Sequence, residues 1–397
     1  MPPPLFALFS AKMPTEAATA LAGLEECDWP KLVAQARSHK VAPLLRQRLK
    51  HFDLFDGVPE GTQRQLQQLT RNTAVRNLSI FRQLHELTGY LGPGIPLIVL
   101  KGACLARTMY SDCALRPMGD VDVLARPEHE ETVAAALEHL GYRRKDVRFP
   151  EMYIGCHHDV PFVRPNAAAI ELHRLLDQPE APFRIDYDAL WARAAPAEGA
   201  RGCHYLSAED LLLHLCIHAG YHHQLNIGLY AFIDMGLMCG HPLLNWPTFI
   251  ERAREWQAER CAALTLHLAA HLTGASVPAA VLAALEPRDL SPELLRHAQE
   301  SIYFKLDGKD AAATRFATIV AGRGNFRGLA GLPAAVARRF RMPTQGGTGG
   351  SGLAGLWHED MSLFGEGLWE WLSDPLLRQQ MNARLRGARL SGWMERH

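Results

Sequence analysis

Apolar residues recur at helical spacing through the first ninety positions. Leu66, Leu69, Val75, Leu78, Phe81 and Leu84 predict one face of a long helix, and Pro93-Gly94 closes the run. Asp28, just before Trp29-Pro30, is placed to cap an earlier helix. The period then changes. Residues 96–100 form a continuous apolar run of strand length, Lys101-Gly102 reads as a turn, and 103–110 as a helix. Residues 120–124 alternate as a second strand, and 128–140 predict a helix stopped by Gly141. Two further strands, over 160–164 and 169–175, meet at a turn through Pro165-Asn166. From Ser207 the helical period returns. Ser207-Ala-Glu-Asp210 reads as a capping box for a helix over 211–223, and the period continues to about residue 340. Residues 346–355 have the composition of a flexible linker.

This pattern predicts an α+β protein in four parts. They are an N-terminal helical segment (1–92), a small mixed-sheet core (93–200), a helical domain (201–342), and a Gly-rich linker with a basic C-terminal segment (343–397). At 397 residues the chain is too long for one ordinary core. Acids and bases balance at 42 each, so no overall field favours nucleic acid. The eight cysteines include no C-x-x-C pair, which argues against a zinc ribbon and a disulfide framework and fits a reduced, cytoplasmic setting. The opening residues lack the pattern of a signal peptide. The alanine-rich stretch 261–285 is interrupted by His267, His271 and Pro278, so no membrane span is expected.

The unusual feature is charge inside the strands. On one strand Asp120 and Asp122 project from the same face, and two carboxylates so close repel each other unless a cation lies between them. Magnesium, or manganese, prefers such oxygen ligands and commonly also binds substrate phosphates. Glu171 and His173 repeat the arrangement on a later strand and supply a third carboxylate. Taken alone, the Asp-x-Asp pattern favours a strand cap followed by a solvated face.

Its surroundings narrow the choice. Leu100-Lys101-Gly102, then Tyr110, then Leu115-Arg116-Pro117-Met118-Gly119-Asp120-Val121-Asp122-Val123-Leu124 resembles the uncharacterised nucleotidyltransferase family, a branch of the DNA polymerase β-type superfamily. That family also carries an acid-x-His strand, matched by Glu171-Leu172-His173, and a histidine-bearing helix with a later aspartate, matched by His218, His222 and Asp234. The resemblance spans residues 95–240. It implies a polymerase β-type core that moves a nucleoside monophosphate from an NTP to an acceptor and releases pyrophosphate. Asp120, Asp122 and Glu171 would hold two metal ions. Gly102, at a helix start, would offer backbone N–H groups to phosphate. Lys101 would add charge there, with Gly119 and His173 beside the same site. Arg116 would clamp the triphosphate or form a salt bridge to Asp112 or Asp120. His218, His222 and Asp234 would contact the acceptor. Family members accompany lasso-peptide and exopolysaccharide biosynthesis, so a small molecule, a sugar or a modified peptide would serve as acceptor. The wider superfamily has Gly-Ser after its first strand where this chain has Gly102-Ala103; the spacing to Asp120 is long, and Glu171 stands where aspartate is commoner.

Other signals point to different classes. His214, His218 and His222 repeat every four residues and would suit a zinc hydrolase, but the glutamate of H-E-x-x-H is missing. His157-His158-Asp159 resembles the His-Asp pair of metal-dependent phosphohydrolases, yet leads into a strand where those motifs lie on helices. A non-catalytic nucleotide-binding protein is a further alternative, against which the three carboxylates argue. Gly347 to Gly352 matches G-x-G-x-x-G by letter without a preceding strand, and no Gly-Lys-Ser/Thr phosphate loop occurs. Six arginines and no acid lie between residues 311 and 358, and five more lie between 378 and 396 against Glu395, making a solvated face or a docking surface for an anionic acceptor or a phosphorylated peptide.

Overall fold

The computed structural model describes residues 2–147, 155–198, 202–305, 379–380, 386 and 390–395. The linker expected at 346–355 lies outside the described residues, as does most of the basic C-terminal segment. The described residues up to His218, together with Gly228–Arg288, make one compact unit.

This unit opens with five helices: α1 (Pro4–Ser10), α2 (Pro14–Leu21), α3 (Trp29–Ser38), α4 (Ala42–His51) and α5 (Glu60–Leu91). Asp28 precedes α3 as expected but gives it no side-chain cap; its carboxylate instead accepts from Lys31 and from the backbone of Glu25. Between α3 and α4 the chain closes a Schellman turn. Val41 N–H reaches the Ala36 carbonyl and Lys40 N–H the Arg37 carbonyl, with Lys40 in the left-handed region at φ 54°. Glycine is favoured there, and a residue bearing Cβ costs about 1–2 kcal/mol.

The long α5 buries only part of the face its apolar spacing predicts, at Leu66 and Leu84. Val75 and Leu78 are exposed, whereas Leu66, Asn77, Ile80, Gln83, Leu84 and Leu87 face inward. The buried amides have partners. Asn77 donates to the carbonyls of Cys113 and Arg116, and Gln83 accepts from the Tyr142 hydroxyl.

Next come β1 (Leu97–Val99), α6 (Lys101–Thr108), β2 (Asp120–Leu124), α7 (Glu130–His139), β3 (Arg143–Arg144), β4 (Phe162–Val163), β5 (Ala169–His173), α8 (Tyr187–Arg193), β6 (Ala195–Pro196) and β7 (Cys203–Tyr205). They form a mixed sheet in the order β3-β4-β5-β2-β1-β7-β6. The β2 strand is flanked by β1, antiparallel, and by β5, parallel, with Val121 and Val123 buried against the core. The α+β class holds. Lys101 is not part of a turn before the helix but its first residue, at φ 42°.

Helices α9 (Ala208–Ile217), α10 (Leu229–Cys239), α11 (Trp246–Glu255), α12 (Glu259–Thr273) and α13 (Ala279–Leu285) complete this unit. Ser207 caps α9 by accepting from the Asp210 N–H. The Asp210 carboxylate, buried, pairs with Arg193 and Arg252 instead of closing a capping box. The helix expected over 211–223 leaves α-geometry after Ile217 and continues as a π-turn, His218–His222.

The second unit comprises Ala219–Ile227 and the described residues from Asp289 onward, including α14 (Pro292–Tyr303). Within it Trp393 donates to Asp289, Tyr221 to Glu395 and Arg386 to Glu300. No helix among the described residues is long and apolar enough to cross a membrane, and none of the eight cysteines, all of them described, forms a disulfide.

Candidate active site

The parallel register of β2 and β5 sets Asp120 opposite Ala169, Asp122 opposite Glu171 and Leu124 opposite His173. Paired residues in a parallel ladder share a face, and alternate residues of each strand share it too. Asp120, Asp122, Glu171 and His173 therefore rise from one side of the sheet.

His173 reaches back along the face, its Nε2 lying 3.1 Å from Asp122 Oδ1 and 3.7 Å from Glu171 Oε2. One ligand atom from each of Asp122, Glu171 and His173 falls within 4.8 Å of the other two. Lys101, at the head of α6, brings Nζ to 3.5 Å from Asp122 Oδ1. Asp120 stands two residues earlier, about 6.6 Å along the strand at ~3.3 Å per residue, at the exposed start of β2. Sequence reasoning placed Asp120 with the ligands and His173 beside them; among the described residues it is His173 that converges with Asp122 and Glu171.

The electrostatics follow this geometry. For Asp122, burial favours the neutral acid, but Lys101 and the His173 hydrogen bond outweigh it and hold the carboxyl well below its ordinary range. Asp120 is pushed the other way, by loss of water and then by repulsion from Asp122 and Glu171, against the pull of Lys40 and Lys101. For His173, burial favours the neutral ring, yet hydrogen bonds to Asp122 and Glu171 raise it above the usual histidine value. Crowded carboxylates of this kind call for a cation. Two carboxylates and an imidazole fit one; the oxygens suit magnesium, and the nitrogen widens the choice toward manganese or zinc.

The loop leading into β2 is pinned from two directions. On one side α5 holds it by carbonyls: Arg76 donates to Met118 and Gly119, and Asn77 to Cys113 and Arg116. On the other, Arg116 donates from Nε and Nη2 to the Asp234 carboxylate at 2.7–3.0 Å. Tyr110 donates its hydroxyl to the same carboxylate at 2.6 Å, and the Arg116 guanidinium lies 4.3 Å from the centroid of the Tyr230 ring. Tyr110, Arg116 and Asp234, three separate positions of the sequence pattern, thus make one buried network. The salt bridge of Arg116 goes to Asp234, not to Asp112 or Asp120, because α10 brings the only carboxylate that its fork meets in this network.

Gly102 packs closely, since an added Cβ would lie 3.3 Å from Met118 Cγ, whereas a Cβ on Gly119 would meet nothing within 4 Å. His157 and His158, which sequence reasoning set aside, place their rings 5.3 and 5.2 Å from that of His173. His218 ends the first unit with its ring 5.9 Å from that of His214, and His222 belongs to the second.

A family model described as "Uncharacterised nucleotidyltransferase" matches residues 25–274, more than half of the chain. The chain belongs to this family. Membership gives nucleotidyl transfer as the general reaction and a nucleotide as substrate. Searches of curated proteins and of solved structures gave no match. The family match begins well before β1, so the turn that carries Lys40 and the helix that supplies Arg76 and Asn77 fall within it. Those residues carry no motif, and only their long-range contacts reveal them.

Proposed function

We propose that this protein moves a nucleoside monophosphate from an NTP to an acceptor, with a divalent cation held by Asp122, Glu171 and His173 and a second shared with Asp120. The observation that carries this reading is the convergence of two carboxylates and an imidazole, beside Lys101, on paired strands of a nucleotidyltransferase-family chain. When bound, magnesium or manganese would neutralise phosphate charge and favour ionisation of the attacking group.

The residues do the rest. The acceptor oxygen forms a bond to the α-phosphorus while the bond to the bridging oxygen of the β-phosphate breaks, and pyrophosphate leaves. Glu171, half-buried at the cluster, takes the acceptor proton. Lys101 keeps Asp122 ionised and adds positive charge where phosphates approach. The backbone N–H groups at the start of α6, whose first residue is Lys101, would offer further donors to phosphate. Arg116 stabilises the loop before β2 through Asp234. The acceptor is a small molecule, a sugar or a modified peptide presenting a nucleophilic oxygen, as in the lasso-peptide and exopolysaccharide settings of the family resemblance.

Incubation with each α-labelled NTP, manganese and candidate acceptors tests this. Label should pass to the acceptor with equimolar pyrophosphate. Release of free monophosphate with no labelled acceptor, at the same rate with and without acceptors, would favour a hydrolase instead.

A further inference from the structure

Asp120 is the carboxylate that the sheet holds least. On the β1 side of β2 the pairing stops early: Ile98 lies opposite Leu124, Val99 opposite Val123, and the last bond runs from Leu100 N–H to the Asp122 carbonyl. Beyond it the chain turns away into α6 at Lys101. Among the described residues Asp120, at the exposed start of β2, therefore has a strand partner on one side only, Ala169 of β5. Packing does not fix the residue before it either, since an added Cβ on Gly119 would meet nothing within 4 Å.

What holds that residue is a side chain of α5. Arg76 donates from Nε to the Met118 carbonyl at 2.8 Å and from Nη2 to the Gly119 carbonyl at 2.5 Å. The Gly119 carbonyl belongs to the peptide group whose N–H is that of Asp120, so the guanidinium fixes the plane from which the Asp120 Cα departs. A planar fork suits two successive carbonyls, whereas an ammonium is a single point of charge. The Gly119 bond is exposed, and water competes for both of its partners. It therefore adds little to stability and acts chiefly on position.

We propose that Arg76 is the positioning residue for Asp120, and so for the second divalent cation, which Asp120 shares. This rests on the two-cation nucleotidyl-transfer reading and carries it further: the N-terminal helical segment sets one part of the metal centre and the β2–β5 ladder sets the other. Asp122, Glu171 and His173 converge from within that ladder and do not depend on Arg76.

Manganese titration of the full chain, followed by electron paramagnetic resonance with the α,β-methylene analogues of ATP, GTP, CTP and UTP, tests it. Wild-type protein should bind a pair of manganese ions with at least one analogue. Arg76→Met keeps the length of the side chain and removes its donors. It should hold the first ion within about twofold of wild type. The second should bind roughly tenfold more weakly or worse, as happens when an outer partner of a metal ligand is lost. Asp120→Asn should weaken the same ion and spare the other. Arg76→Lys, which keeps a donor for one carbonyl, should recover part of the affinity. Second-ion affinity within about twofold of wild type in Arg76→Met overturns the inference. So does equal loss of both ions with a lower melting temperature, which would assign Arg76 to the fold alone. Wild-type protein that binds a single ion, or no analogue, overturns the two-cation reading along with it, and the failures are therefore distinct.

Discussion

Asp122 and Glu171 stand directly opposite one another in the parallel β2–β5 ladder, with His173 Nε2 3.1 Å from Asp122. Like charges opposed across two strands destabilise a sheet. Here the strands run through the middle of the sheet order and cannot splay to separate them. A bound cation removes the conflict, and the predictions begin there.

Asp122→Asn keeps the shape of the side chain and removes the charge that Lys101 and His173 face. Its transfer rate should fall roughly a thousandfold, equivalent to about 4 kcal/mol of transition-state stabilisation. Pyrophosphate release by the purified variant measures this. Near-normal release would remove Asp122 from the site.

Manganese should raise the melting temperature of the wild-type protein in a concentration-dependent way, because it binds the folded cluster and not the open chain. Glu171→Gln and His173→Ala should each lose most of that shift, since both residues belong to the converging set. Scanning calorimetry with and without chelator reports it; an undiminished shift in both variants would place the metal elsewhere.

Arg116 and Asp234 form a buried pair, so removing one partner leaves the other uncompensated. Asp234→Asn should cost about 3–5 kcal/mol in urea unfolding. The double variant Arg116→Met with Asp234→Leu should recover part of this loss, as apolar replacements of buried pairs often do. Additive losses in the double variant would mean that the pair does not act as a unit.

Asn77→Ala removes two hydrogen bonds to the carbonyls of Cys113 and Arg116 inside the protein. About 1–3 kcal/mol of stability should go with them. Because the same loop enters β2, turnover should fall further than the stability loss explains, which kcat measured well below the melting temperature would show.

Gly228→Ala forces a Cβ to within 2.7 Å of the His39 carbonyl, a backbone atom with little room to retreat. Overpacking of this kind costs about 1–3 kcal/mol. Urea unfolding compared with Gly119→Ala, where the added methyl meets nothing, provides the control.

Much of the central sheet was legible in the sequence, for physical reasons that particular residues show. The β2 boundaries emerge at residues 120–124 because apolar and acidic residues alternate there, and Gly141 ends the following helical stretch at φ 83°. The shared face of Asp122, Glu171 and His173 follows from the period of two, although only the parallel register shows that His173 reaches Asp122. The inner face of α5 was hidden because Asn77 and Gln83 are polar, and a polar residue on a helix ordinarily reads as solvated. Their partners lie on other elements, which periodicity cannot see. Lys40 was hidden for the same reason: nothing in Ser38-His39-Lys40 announces that residues 228–230 will clamp the turn.

The Arg116–Asp234 network also has a temporal side. The two residues are 118 positions apart, so during synthesis the guanidinium waits for its carboxylate. At about 5–20 residues per second that wait is about 6–24 s. Throughout it, the loop before β2 carries a charge that the finished fold buries and the nascent chain cannot neutralise through Asp234. The sheet strands are all made before α10 emerges, yet the entrance to the acidic cluster cannot settle until α10 arrives, and the ribosome rather than the sheet sets when the site becomes complete.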